Sequence, residues 1–356
     1  MLSPQTRLIG GKPRAVKTAL LLIAISTGCA ADPCDPNKQS CTYDKTVSTF
    51  TVAAGHEDED TCQSWTLENP TELWVSSITQ HNDGAYHHAN WFIVPDTTFV
   101  LPDGAWSCAS QDFMEVQAAL LGGYLFAQST QSRDETQTLP NGAAIRIPPH
   151  SRLIGASHLL NTGDADVKTS LHLTLRTIPP AQVQAKLAPG RIQYHDLHID
   201  PSAQSSFTTE CDIAAQYPSS IGAFHYNLYF TLAHYHGLGM FSELQVLGGP
   251  HDGQVIMHHD GGGNFGTAID PPIDLVALGA RGLRFTCAYN NPRPTGVGWG
   301  IGDQEMCVVA LQAETDIGWD GEVNDGTGAK QGVAADGTVQ YTGPCSVTAY
   351  PWDFNK

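Results

Sequence analysis

The sequence predicts an all-β protein of about two domains, and three observations carry that prediction. Its 356 residues exceed the usual size of a single domain. The 35 glycines and 22 prolines, with only 15% charged residues, suit turn-rich β structure better than helical bundles. Many short runs alternate apolar and polar residues between turn signals, and few hold a helical period.

The chain opens on a segment expected to lie outside the fold. Arg7, Lys12, Arg14 and Lys17 precede an apolar run from Ala19 to Ile25. A basic start, a short apolar stretch and small residues describe a secretory signal over residues 1–28. Gly28-Cys29 resembles a bacterial lipobox, with Ser26 in place of the usual leucine. Cys29 would then carry lipid and be the sole membrane attachment, because the apolar run is too short to span a bilayer. Residues 29–60 are polar and read as a tether, with a local Cys34–Cys41 bridge and a solvated cluster from His56 to Asp60.

The first domain is expected over 61–177. Leu73 to Ile78 is a strand candidate, and Asn82-Asp83-Gly84 is its turn signal. Tyr86 to Val94 follows as a strand that opens with His87-His88. Neighbours on a regular strand face opposite ways, so one metal uses both histidines only if the chain bulges there. Otherwise one points in and one out. Leu153 to Leu160 is apolar, carries His158 and ends at a polar turn. His172 is set aside, since it alternates with Leu171, Leu173 and Leu175 and falls on the polar face. Prolines at both ends mark 178–190 as a linker.

The second domain, 191–350, holds the most informative stretch, Phe224 to Met240. Phe224, Tyr226, Leu228, Phe230 and Leu232 share one face of a half-buried strand. The same parity places His234 and His236 side by side at its end. Two imidazoles leaving an apolar face need partners, either a metal ion or backbone carbonyls. His195 and His198 read as surface or edge residues, and His258-His259-Asp260 with its glycine run reads as a hairpin turn. Leu283 to Asn291 and Gly302 to Leu311 form two strands with one cysteine each, which a disulfide could join.

Several function classes are disfavoured. With 18 basic and 36 acidic residues, net −18, the chain lacks the basic footprint of a nucleic-acid partner. There is no Gly-x-Ser-x-Gly elbow, no His-Glu-x-x-His and no phosphate loop. Eight cysteines beyond Cys29 suit an exported, disulfide-bonded protein, periplasmic, outer-membrane-anchored or extracellular. None forms a Cys-x-x-Cys pair, which disfavours a zinc ribbon.

Four elements in sequence order resemble one family. They are His87-His88, His158 before Leu-Leu-Asn-Thr-Gly-Asp, His234-Tyr235-His236-Gly237-Leu238-Gly239, and Asp303-Gln304-Glu305-Met306-Cys307. Together they resemble the copper type II, ascorbate-dependent monooxygenases over residues 62–345, with Gln304 departing from the common Asp-Glu-Met-Cys. The resemblance implies two consecutive antiparallel, jelly-roll-like β-sandwiches, each with one copper ion. His87, His88 and His158 would hold the electron-transfer copper. His234, His236 and Met306 would hold the copper at which dioxygen and a small-molecule substrate meet, with ascorbate or a similar reductant supplying electrons. It also implies Cys62–Cys108, Cys287–Cys307 and Cys211–Cys345 disulfides, which leaves Cys34 with Cys41. Imidazole suits both copper oxidation states and a thioether favours Cu(I), so Met306 argues for copper over zinc. The other class kept in view is a non-catalytic copper-binding or structural double sandwich. Peptide-amidating members carry an arginine two residues before their His-x-His, where this chain has Leu232. They carry asparagine and tyrosine where it has Val308 and Ala310. The expected substrate is therefore less polar than a glycine-extended peptide.

Overall fold

Alternation of apolar and polar residues resolves into strands along the chain, described in this computed structural model over residues 34–129, 131–261, 266–300 and 302–352. The expected signal segment and Cys29 lie outside the described residues. Eleven described strands share one sheet, whose main path runs Thr42–Val52, Val167–Thr177, Leu73–Asn82, Ala143–Ile147, Ala185–Tyr194, Val308–Glu314, Asn227–His234, Gly266–Asp274. A five-stranded sheet containing Glu57–Thr66, Ser151–Leu160 and Tyr86–Pro95 packs on its N-terminal part. A six-stranded sheet containing Ala203–Cys211, Gly239–Leu247 and Gly282–Asn291 packs on its C-terminal part. The result is two β-sandwiches that share one layer, and the all-β expectation holds.

Three expectations need correction. Residues 29–60 are not simply a tether. Thr42–Val52 is an edge strand of the shared sheet, paired with Val167–Thr177, and Glu57 onward belongs to the facing sheet. Its alternation was hidden because both faces of an edge strand can be polar. The 178–190 linker ends inside strand Ala185–Tyr194. Ala185–Leu187 of that strand pair parallel with Ala143–Ile145 of the first sandwich, and Leu187–Gln193 pair with Val308–Glu314 of the second. One continuous strand thus fuses the two halves. Lastly, His258, His259 and Asp260 end strand Val255–Asp260 instead of forming a turn, and the glycine run after Gly261 lies outside the described residues. His172 does face the polar side of its strand, beside Thr46.

Each sandwich has its own core. In the first, Trp91 lies wholly buried opposite Gly155 in the facing strand. A Cβ at position 155 would stand 2.8 Å from the indole ring, so only glycine leaves room. The indole N–H donates to Gln80 Oε1 at 2.9 Å, which satisfies the one polar atom that ring brings inside.

Strand Asn227–His234 belongs to both cores. Its pairing slips between Leu228 and Phe230, a β-bulge at Tyr229. Tyr226 and Leu228 pack into the second core, whereas Phe230 and Leu232 pack into the first. A bulge exchanges the faces of all later residues. The single apolar face read from the sequence therefore serves two cores, and the parity that Leu232 shares with His234 and His236 leads towards the first sandwich.

Among the described residues four disulfides form: Cys34–Cys41, Cys62–Cys108, Cys211–Cys345 and Cys287–Cys307. They are compatible with export. No helix among the described residues is long and apolar enough to cross a membrane.

Candidate metal centre

His88 and His158 are direct partners across neighbouring antiparallel strands, which brings two side chains of one face together. The register shifts between Tyr86 and His88. His87 is thus the extra residue of a bulge, the condition under which adjacent histidines share a site. All three rings are buried, at 7%, 8% and 4% exposure for His87, His88 and His158. Their centroids lie 4.7 Å (His87–His158), 5.4 Å (His88–His158) and 5.5 Å (His87–His88) apart.

His234 and His236 come from the other sandwich, 5.2 Å from each other. They do not form a separate cluster. His234 is 5.1 Å from His88, and His236 is 5.4 Å from His87. The five histidines expected in two places meet as one group between the sandwiches. Met306 borders the same cavity as His88, His158 and His234. Next to it, buried Cys307 is tied to Cys287, and Tyr289 donates from its hydroxyl to the Met306 carbonyl at 2.5 Å.

Hydrogen bonding fixes two ring tautomers. A carboxylate can only accept, so His158 Nε2–H donates to Glu57 Oε1 at 2.9 Å and Nδ1 keeps its lone pair. A carbonyl likewise can only accept. His236 Nδ1–H donates to the Gln304 carbonyl at 2.8 Å, leaving Nε2 as the base. Both remaining nitrogens are buried without a protein partner, as are both ring nitrogens of His87 and of His88. Anchoring one nitrogen to an outer acceptor and presenting the other inward is how metal-ligating histidines are held. Each unsatisfied buried polar atom costs roughly 1–3 kcal/mol. Six of them approach the whole net stability of a typical domain, about 5–15 kcal/mol, so the cluster is costly without a ligand.

Burial favours the neutral form, the one that binds metal, at His87, His88, His234 and His236. It lowers His87 to about 4, helped by repulsion from His158 and His236, and lowers His234 to about 3. His88 is held well below the ordinary value for the same reason, and His236 is lowered despite its bond to Gln304.

Glu305 positions the His236 loop. Its carboxylate accepts from the backbone N–H of His236 at 2.8 Å and of Leu238 at 2.7 Å. Burial raises its pKa to about 7 against the pull of those donors. Immediately after Leu238, a Cβ at Gly239 would overlap the Tyr235 ring at 1.9 Å, so the turn after His236 closes only on glycine.

Sequence reading missed two partners. Glu57 was grouped with solvated surface, yet it orients His158. Glu305 stood inside a recognised motif with no role given to it. Glu57, Glu59 and His158 also bring ligand atoms within 4.8 Å of one another at the rim of the cluster. Glu57→Ala is expected to weaken copper binding by the His87/His88/His158 set about 10–100-fold. Thermal stability should change little, because Glu57 lies at the solvent-exposed rim, its side chain 40% exposed. Competition against a copper chelator measures this, and an unchanged affinity would remove Glu57 as the orienting group.

A cavity of ≈ 510 Å³ opens from the cluster between the sandwiches. The alternate residues His88, Asn90 and Phe92 form one wall, and Leu232, Val308 and Ala310 form part of another. Helix Glu115–Gly122 borders it with Val116 and Leu120, both exposed apolar side chains. Arg191, the one arginine lining the cavity among the described residues, is already paired, donating to both oxygens of Asp320 at 2.9 and 2.7 Å.

The chain matches no known family model and no curated protein. Distant likenesses to solved structures exist. Cowpea mosaic virus empty particles match with TM-score 0.32 and 9% identity, over 84% of this chain and 95% of that one. N-glycanase F (PNGase F) matches with TM-score 0.30 and 11% identity over 78% and 97%. The major capsid protein P2 of bacteriophage PM2 matches with TM-score 0.28 and 8% identity over 77% and 97%. Likenesses this distant carry no argument about activity.

Proposed function

We propose that this chain is a copper-dependent monooxygenase, akin to the copper type II, ascorbate-dependent family, that hydroxylates a C–H bond of an apolar small molecule. The observation that carries the reading is the set of six orphaned, buried ring nitrogens in a histidine cluster that opens on the cavity Met306 also lines. Imidazoles with a thioether are a copper donor set, and zinc sites seldom include methionine. Bound copper supplies one-electron chemistry and the activation of dioxygen, with ascorbate or a similar reductant as electron source. His87, His88 and His158 would hold one ion, and His234, His236 and Met306 the other. Glu57 and the Gln304 carbonyl fix the tautomers of His158 and His236. Export and a lipid anchor at Cys29 belong to the same proposal.

The walls select the substrate. Leu232, Val308 and Ala310 offer nothing to a carboxylate, and burying one against them is costly. Arg191 is engaged by Asp320, so its fork is not free for a bidentate contact. Glycine-extended peptides are therefore expected not to turn over with copper and ascorbate, read as glyoxylate release. Saturable release would mean that Arg191 exchanges Asp320 for the peptide carboxylate, and the substrate assignment would fail. The activity itself is tested by ascorbate-dependent oxygen consumption of the copper-loaded protein, expected to disappear in His234→Ala.

A further inference from the structure

We infer that the polar face of the first sandwich carries a surface metal site, in which His81, His172 and Asp83 bind a zinc ion. The inference is independent of the copper reading, since none of these residues belongs to the cluster between the sandwiches. Four side chains form a row across four adjacent strands. Thr46 of Thr42–Val52 stands opposite His172 of Val167–Thr177, His172 opposite His81 of Leu73–Asn82, and His81 opposite Asp134 of Asp134–Thr138. Directly opposed residues project from one face, here the face turned away from the core residues Leu171 and Leu173. The His81 and His172 ring centroids lie 5.9 Å apart. Asp83 and Ser170, each two residues along from a histidine, flank the pair, and the Ser170 hydroxyl donates to Asp83 Oδ2.

Partners at both ends of the row turn the free nitrogens inward. A carboxylate only accepts, so His81 Nδ1–H donates to Asp134 Oδ1 at 2.5 Å, and Nε2 keeps its lone pair. That nitrogen stands 3.6 Å from Asp83 Oδ1, too far for a hydrogen bond. Two ligands of one tetrahedral zinc, each about 2.0–2.2 Å from the ion, lie about 3.4 Å from each other, so the gap suits a shared ion. His172 Nδ1 meets the Thr46 hydroxyl at 2.9 Å, and its Nε2 lies 3.4 Å from Ser170 Oγ. An ion selects the tautomer whose Nδ1 proton goes to Thr46, which frees Nε2 as the second imidazole ligand. Asp134 raises the basicity of His81, and that strengthens a ligand nitrogen. Asp83 and Asp134 offset the two charges of the ion. The His81 and Asp83 side chains are 45% and 50% exposed, so both can rotate onto the ion without disturbing the core.

Zinc titrated into the full chain, with the interior cluster first filled with copper, tests this. Bound zinc is counted at equilibrium, because an exposed ion exchanges with solvent and is lost when metal is stripped. The parent protein should bind one equivalent more than the double variant His81→Gln/His172→Gln. Asp134→Asn, which removes only the outer partner of His81, should weaken that equivalent about 10–100-fold. In the parent, the ring resonances of His81 and His172 should shift together as zinc is added. Equal zinc content in parent and double variant, or zinc binding that leaves both ring resonances in place, would overturn the inference. The difference is read in the same way if the cluster takes no copper, so the two readings fail separately. The ring resonances of the parent decide the matter even if a variant fails to fold.

Discussion

Met306→Ile is expected to lower ascorbate-dependent oxygen consumption by more than about 100-fold. Loss of a residue that merely orients a ligand costs about 10–100-fold, and loss of a ligand should exceed that. Isoleucine is close to methionine in volume, so packing against the cavity wall is largely kept. The change removes the sulfur and little else. Copper on His87, His88 and His158 should remain bound and reducible, which separates a chemical defect from a folding one. Turnover near that of the parent protein would remove Met306 from the centre and weaken the copper assignment.

The second large effect concerns stability. Cys211–Cys345 joins residues 134 apart, and closing so long a loop restricts the unfolded chain. The chain-entropy treatment gives about 5 kcal/mol, and measured losses for native disulfides run about 2–5 kcal/mol. Packing adds to this. A Cβ on Gly321 would lie 2.8 Å from Cys345 Sγ and 2.9 Å from Cys211 Sγ, so the bridge rests on bare backbone of strand Ile317–Val323 and its removal leaves a void. Replacing both cysteines by alanine should lower the melting temperature by about 5–15 °C, taking roughly 2–4 °C per kcal/mol for a domain of this order. A shift under about 2 °C would show that the C-terminal strands are held by packing alone.

How much of this was legible depended on the range of the interaction. Period-two alternation is local, so strands such as Tyr86–Pro95 and Ser151–Leu160 were foreseen nearly to their ends. The histidines stood out because an imidazole on an apolar face needs a partner. The bulge at His87 was stated as a condition, and it is met. Glu57 was not legible: its partner His158 lies 101 residues away, and a carboxylate among other acids looks like solvent-facing surface. The bulge at Tyr229 leaves no mark in composition, yet it turns the later half of the strand towards the other core. Fusion through Ala185–Tyr194 was obscured by the prolines before and within it, which suggested a break. Pro189 sits inside that strand even so. Convergence of the two sets follows from that fusion and that bulge together, and neither is local.

Copper content at saturation is the most direct test of the central claim. Protein dialysed against excess copper in the presence of equimolar zinc, then freed of loosely bound metal, should retain two coppers per chain and little zinc. Retention of zinc in place of copper, or of no tightly bound metal at all, would contradict a centre built from His87, His88, His158, His234, His236 and Met306.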